Sequence, residues 1–94
     1  MASAPHILGL DIGEKRIGVA IADVKTPFPA PLTTLEASEH LAAEFKQLLA
    51  KHHVKVVVIG LPRNQNGERT AQTDRVEKIA ELLKIPAQVA TYWQ

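Results

Sequence analysis

The residues of this chain that could do chemistry gather in two short stretches. The first is His6 to Asp23, HILGLDIGEKRIGVAIAD, in which Asp11 ends an apolar run and Gly13-Glu14-Lys15-Arg16 follows. The second is Gly60 to Arg69, GLPRNQNGER, a polar loop that carries Arg63, Asn64 and Arg69. Asp11 is embedded in Leu10-Asp11-Ile12-Gly13, and a buried carboxylate is strongly disfavoured without a partner. A metal ion or a cation from the turn would supply one. Lys15 and Arg16 have two readings, solvated turn charges or ligands for a phosphate, and Gly13 would let the backbone approach such a ligand closely. Arg63 and Arg69 raise the phosphate reading, because four cations would then ring one carboxylate. Such a mix fits an anionic substrate with metal between it and the protein.

The same residues set limits. Asp11 alone cannot run two-metal chemistry, since two Mg²⁺ ions about 4 Å apart need several carboxylates. Glu14, Glu68 and Asp74 are weak candidates for the others. Asp23 falls at the opposite end of an antiparallel pair from Asp11 and reads as a turn residue before Lys25-Thr26-Pro27. Asn64 and Asn66 read first as turn formers. His6, His40, His52 and His53 form no spaced metal-binding cluster. Tyr92 and Trp93 look like core residues of a strand; exposed, they could stack on bases.

Composition narrows the class. Ninety-four residues, 46% hydrophobic and 22% charged, predict one small soluble domain, residues 1–94. The net charge of +1 gives no global polycation, so any basic footprint for nucleic acid is local. The absence of cysteine excludes disulfides and thiolate metal sites and suits a reducing cytosol. Met1–Pro5 lacks the basic and apolar regions of a secretory signal, and no apolar run approaches the ~20 residues that cross a bilayer. A cytoplasmic protein with no membrane association is expected.

The elements that must position these residues follow from periodicity. Ile7–Leu10 and Ile17–Ala22 read as antiparallel strands joined by a tight turn. Thr26–Pro31, with three prolines, reads as an extended loop, and Leu32–Glu36 as a third strand at an edge. Ser38 is the expected N-cap of a helix to about His53, with Leu41, Phe45, Leu48, Leu49 and His52 on one face. Val54–Ile59 has the β-branched composition of a buried parallel strand. Asn66-Gly67 signals a turn, and Thr70 caps a second helix with Val76, Ile79, Ala80 and Leu83 inward. Ile85–Trp93 reads as a fifth strand. A right-handed crossover sets the fourth strand beside the first and gives the sheet order 3-2-1-4-5. Its switch point lies between strands 1 and 4, where ligands of open α/β sheets bind at carboxyl ends. Asp11, the Gly13–Arg16 turn and the Gly60–Arg69 loop would meet there.

Leu8-Gly-Leu-Asp-Ile-Gly13 with Lys15-Arg-Ile-Gly-Val-Ala20, followed by Val57-Val-Ile-Gly-Leu-Pro62 and Asn66-Gly67, resembles the YqgF/RuvX family. Those are ribonuclease-H-like proteins described as Holliday junction resolvases and as nucleases of the precursor of small-subunit ribosomal RNA. The resemblance runs from Ile7 to Val89 and implies an α/β fold of the ribonuclease H type, a mixed sheet in the order above. It implies Mg²⁺- or Mn²⁺-dependent phosphodiester hydrolysis on structured RNA or branched DNA, with Asp11 matching the first catalytic, metal-binding carboxylate. Gly13, Lys15, Arg16, Arg63, Asn64 and Arg69 are the substrate- and phosphate-binding candidates beside it. It also implies a D-E-R-x-T segment after the fifth strand and an Asp in a final helix, and neither is present before Gln94. Without that C-terminal helix, apolar sheet surface is left exposed, which predicts self-association or a partner.

Two other function classes compete. One is a non-catalytic module that binds nucleic acid or protein on the same fold. The other is a fragment of an actin-like ATPase, whose first phosphate-binding hairpin Asp11-Ile-Gly13 also resembles. Those ATPases need a second domain and an adenosine pocket that 94 residues do not provide.

Overall fold

The computed structural model describes residues 4–25, 28–61 and 66–94. Its elements are β1 (His6–Ile12), β2 (Arg16–Asp23), β3 (Ala30–Glu36), α1 (Leu41–Lys51), β4 (Val54–Ile59), α2 (Ala71–Leu83) and β5 (Ala90–Trp93). The strands form one sheet in the order β3-β2-β1-β4-β5, as the crossover rule predicts. β1 pairs antiparallel with β2 and parallel with β4; β2 pairs antiparallel with β3, and β4 parallel with β5.

Successive strand residues point to opposite faces, and here the two faces differ in kind. Leu8, Leu10, Ile12, Ile17, Val19, Val57 and Ile59 point to one face and are at most 4% exposed. Leu41, Phe45 and Leu49 of α1 and Val76, Ile79 and Leu83 of α2 close over them, and the two helices touch each other on that side. Ile7, Gly9, Asp11, Gly18, Ala20, Val56 and Val58 alternate with these and point to the other face, over which neither helix lies.

The helix ends explain where expectation and structure part. Thr70 caps α2 as predicted: its hydroxyl accepts from Thr73 N–H at 3.3 Å, and the Thr73 hydroxyl accepts from Thr70 N–H at 3.1 Å. That reciprocal pair satisfies Thr73, a polar residue with no exposed surface. Ser38 does not cap α1. Its hydroxyl accepts from His40 N–H at 3.2 Å, two residues on, which closes a local turn, so the helix starts at Leu41. α1 also ends earlier than expected, at Lys51, because His53 takes a left-handed φ of 54° and turns the chain into β4. His6 clamps that corner, its N–H donating to the His53 carbonyl and its Nδ1–H to the His52 carbonyl.

Two strand boundaries move. β3 begins at Ala30 and takes in Pro31, which was expected in a loop; at a sheet edge beside a register shift, a residue without an N–H is tolerated. β5 begins only at Ala90. Lys84 ends α2 in a left-handed conformation, and Val89 N–H donates to the Pro86 carbonyl, so Ile85–Val89 is spent on the turn back to the sheet. β5 pairs on one side only, which leaves Tyr92 59% and Trp93 45% exposed and overturns their expected place in the core. No described helix is long and apolar enough to cross a membrane.

Candidate active site

Asp11 stands in β1 opposite Gly18 of β2, one residue before the strand ends. Leu10 and Ile12 on either side of it point into the core, so alternation aims Asp11 at the open face, where it is exposed. The expectation of a buried carboxylate in need of a partner is therefore corrected: its apolar neighbours in sequence are not its neighbours in space. Gly18 keeps the adjoining position bare. A Cβ added there would sit 3.8 Å from Asp11 Cβ, in ordinary contact. Arg16, two residues before Gly18, shares this face and is the diagonal cross-strand neighbour of Asp11.

The β1–β2 turn is tight. Gly13 N–H donates to the Arg16 carbonyl at 2.8 Å, and a Cβ on Gly13 would press on that oxygen at 3.2 Å. Glu14, Lys15 and Arg16 all face solvent at this turn. Two concavities meet at Asp11. One, about 580 Å³, lies on the open face over Gly9, Gly18 and Ala20, with Pro31 and Thr34 at its side. The other, about 470 Å³, lies at the strand ends among Ile12, Gly13, Leu61 and Gln72. Asp11, Gly60 and Gln94 border both. Gln94 is held there by its N–H on the Ile59 carbonyl and by Leu61 N–H on its own carbonyl.

The remaining candidates fall elsewhere. Arg63 and Asn64 lie outside the described residues. Arg69 is turned toward α2, where its Nη2 donates to Asp74 Oδ1 at 2.6 Å and to Glu77 Oε1. Glu77 first, then Asp74, raise the Arg69 guanidinium above its ordinary pKa. It borders neither concavity at Asp11, and Asp74, a weak carboxylate candidate, is taken up in this pair. Asp23 stands in register with His6 at the far end of the sheet and accepts from Lys25 N–H at 2.8 Å, as a turn residue does. Asn66-Gly67 turns as its sequence predicts, with Gly67 at φ 77°.

Gln72 and Gln94 were missed. Gln72 lies four residues before Val76 on the flank of the apolar stripe of α2, which is a faint signal of a polar side chain aimed inward. Its partner is 60 residues away, and no local pattern reports that. Gln94 had no signal.

The donor set bears on metal binding. Among the described residues no three His, Asp or Glu side chains converge, and Asp11 is the sole acid bordering either concavity. One carboxylate fits a single Mg²⁺ or Mn²⁺ that keeps several waters and shares a substrate phosphate. It does not fit a pair of ions.

Residues 5–94 match the family model described as "RuvX: Holliday junction resolvase". A protein of Chloroflexus aggregans named "Putative pre-16S rRNA nuclease" is 44% identical over 79 residues, covering 82% of this chain and 56% of that protein. A Caldanaerobacter subterraneus protein of the same name is 38% identical over 87 residues, covering 86% and 63%. The chain thus spans less than two thirds of the length of these relatives. Among solved structures, RuvC of T. thermophilus in complex with a Holliday junction substrate superposes with a TM-score of 0.68 at 14% identity, covering 95% of this chain and 63% of that one. The shared architecture is the ribonuclease H-like fold.

Proposed function

The chain belongs to the RuvX family of Holliday junction resolvases, and on that premise we propose that it carries the first part of a nuclease site that hydrolyses phosphodiester bonds in structured nucleic acid. The observation that carries the reading is Asp11, exposed at the carboxyl end of β1 between two concavities, with a bare glycine opposite and an arginine on the diagonal. The substrate favoured is the precursor of small-subunit ribosomal RNA, after the names of relatives 38–44% identical to this chain. A four-way DNA junction is the second reading, after the description of the family model.

In this mechanism Asp11 would hold one Mg²⁺ or Mn²⁺. When bound, that ion polarises the phosphoryl oxygens and offsets charge as it develops. Arg16 and Lys15 draw in the phosphate backbone from the turn, an exposed contact that weakens with salt. Gly13 and Gly18 leave room for the strand to pass close to the protein backbone. Two-ion chemistry would need carboxylates beyond those of the described residues. The chain works in the cytoplasm on this reading, and a second copy would associate through apolar sheet surface clear of Asp11; a strict monomer at high concentration counts against that association.

The test is cleavage of an end-labelled precursor RNA leader and of a four-way junction, with and without Mn²⁺, by the chain and by Asp11→Asn. Metal-dependent cleavage that the substitution lowers at least a hundredfold supports the proposal. Binding of either nucleic acid with no cleavage, unchanged in Asp11→Asn, favours a non-catalytic binding module instead.

A further inference from the structure

The backbone around Asp11 has one exposed flank. Gly13 is hydrogen-bonded across to β2, so by alternation Leu10 and Ile12 direct their carbonyls toward the β4 side. Leu10 finds its partner there, its carbonyl accepting from Gly60 N–H at 3.1 Å, but β4 has already ended. β1 therefore runs two residues past its parallel neighbour, and those two are Asp11 and Ile12. Among the described residues the Ile12 carbonyl meets no strand.

Gln72 stands in for that strand. Its Nε2–H donates to the Ile12 carbonyl at 3.5 Å, long for a hydrogen bond, and its side chain borders the strand-end concavity that Asp11 also borders. Gln72 sits two residues after the Thr70 cap. The reciprocal Thr70–Thr73 bonds fix the first turn of α2, and with it the place from which Gln72 reaches out. Val76 and Leu83, buried further along, fix the helix against the sheet.

We propose that Gln72 is a positioning residue: it ties the overhanging end of β1 to α2 and so holds Asp11 at the site described above. The role in substrate hydrolysis rests on the nuclease reading; the tie itself does not. Gln72 touches no reacting group. It acts through the Ile12 peptide, which is bonded to Asp11 on one side and opens the Gly13 turn on the other.

The test uses the 94-residue chain with Gln72→Ala, which removes the donor, and Gln72→Lys, which keeps one of similar reach. Amide hydrogen exchange is read by NMR without metal. Gly13 exchange is expected to rise about tenfold over wild type in Gln72→Ala, with Leu8 and Val57 unchanged, and to return in Gln72→Lys. Unchanged exchange at Gly13, or a uniform rise over the whole sheet, overturns the tie. Mn²⁺ affinity is then titrated, with Asp11→Asn as the control. A loss in Gln72→Ala of about tenfold, the low end for groups that orient a metal ligand, is expected; Gln72→Lys is read by exchange alone, because its ammonium opposes Mn²⁺ in the concavity it shares with Asp11. A Gly13 effect with unaltered Mn²⁺ affinity leaves Gln72 merely structural and overturns its role toward Asp11. If the wild type shows no Asp11-dependent Mn²⁺ binding, the nuclease reading fails, while the exchange result still decides the tie.

Discussion

The two faces of the sheet are built from the same strands and do opposite work. On the covered face the side chains are large and branched, Leu8, Leu10, Ile12, Ile17, Val19, Val57 and Ile59, and helices hide nearly all of them. On the open face, one residue away along each strand, stand Gly9, Asp11, Gly18 and Ala20. The first face is sized to fill space and stabilise the fold. The second is kept low around Asp11, so that its carboxylate stays accessible. Stability and chemistry are thus separated by a single alternation, and substitutions on the two faces should have different consequences.

The largest effect belongs to the covered face. Phe45→Ala removes the largest fully buried side chain and should cost about 3–5 kcal/mol, read as the urea midpoint by circular dichroism. Small domains have only about 5–15 kcal/mol in hand, so this variant should be unfolded in part at 37 °C. A loss below about 1 kcal/mol would mean that α1 is not the lid of this core. Asp11→Asn should separate the faces most clearly: the nuclease activity proposed above falls at least a hundredfold, while stability moves by no more than about 0.5 kcal/mol, because the side chain is exposed. A large stability change would place Asp11 in the framework instead.

Gly9→Ala sharpens the comparison from the other direction. A Cβ there meets nothing within 4 Å, and the glycine has no positive φ to protect, so the substitution should stabilise the chain by roughly 0.5 kcal/mol through the unfolded state. The same change at Gly13 should destabilise, since its Cβ would press on the Arg16 carbonyl. The smallest effect is expected at Arg69→Ala. Its pairs with Asp74 and Glu77 lie at the surface, so the urea midpoint should shift little in low salt and not at all in 1 M NaCl, where the Debye length is about 3 Å. A shift that persists in high salt would show that this pair organises the start of α2.

Much of this was legible in the chain itself. Local periodicity and punctuation determined the elements: the β-branched run Val54–Ile59, the apolar stripe Val76–Leu83, the Thr70 cap and the turn at Gly67. The order of those elements, with a handed crossover, determined the sheet order and hence that Asp11, Gly13 and Gly60 share one end of it. These follow from interactions over a few residues, or from the twist that every strand shares. Other features depended on which surfaces met in space. Asp11 faces solvent because its two neighbours are drawn under helices formed far along the chain. Tyr92 and Trp93 stay exposed because β5 finds a partner on one side only. Arg69 turns to the acids of the helix that follows it, and Gln72 crosses 60 residues to a carbonyl that β4 leaves bare. A sequence pattern states what a residue prefers; only the folded sheet decides which strand ends first, and so which polar groups are left to be met.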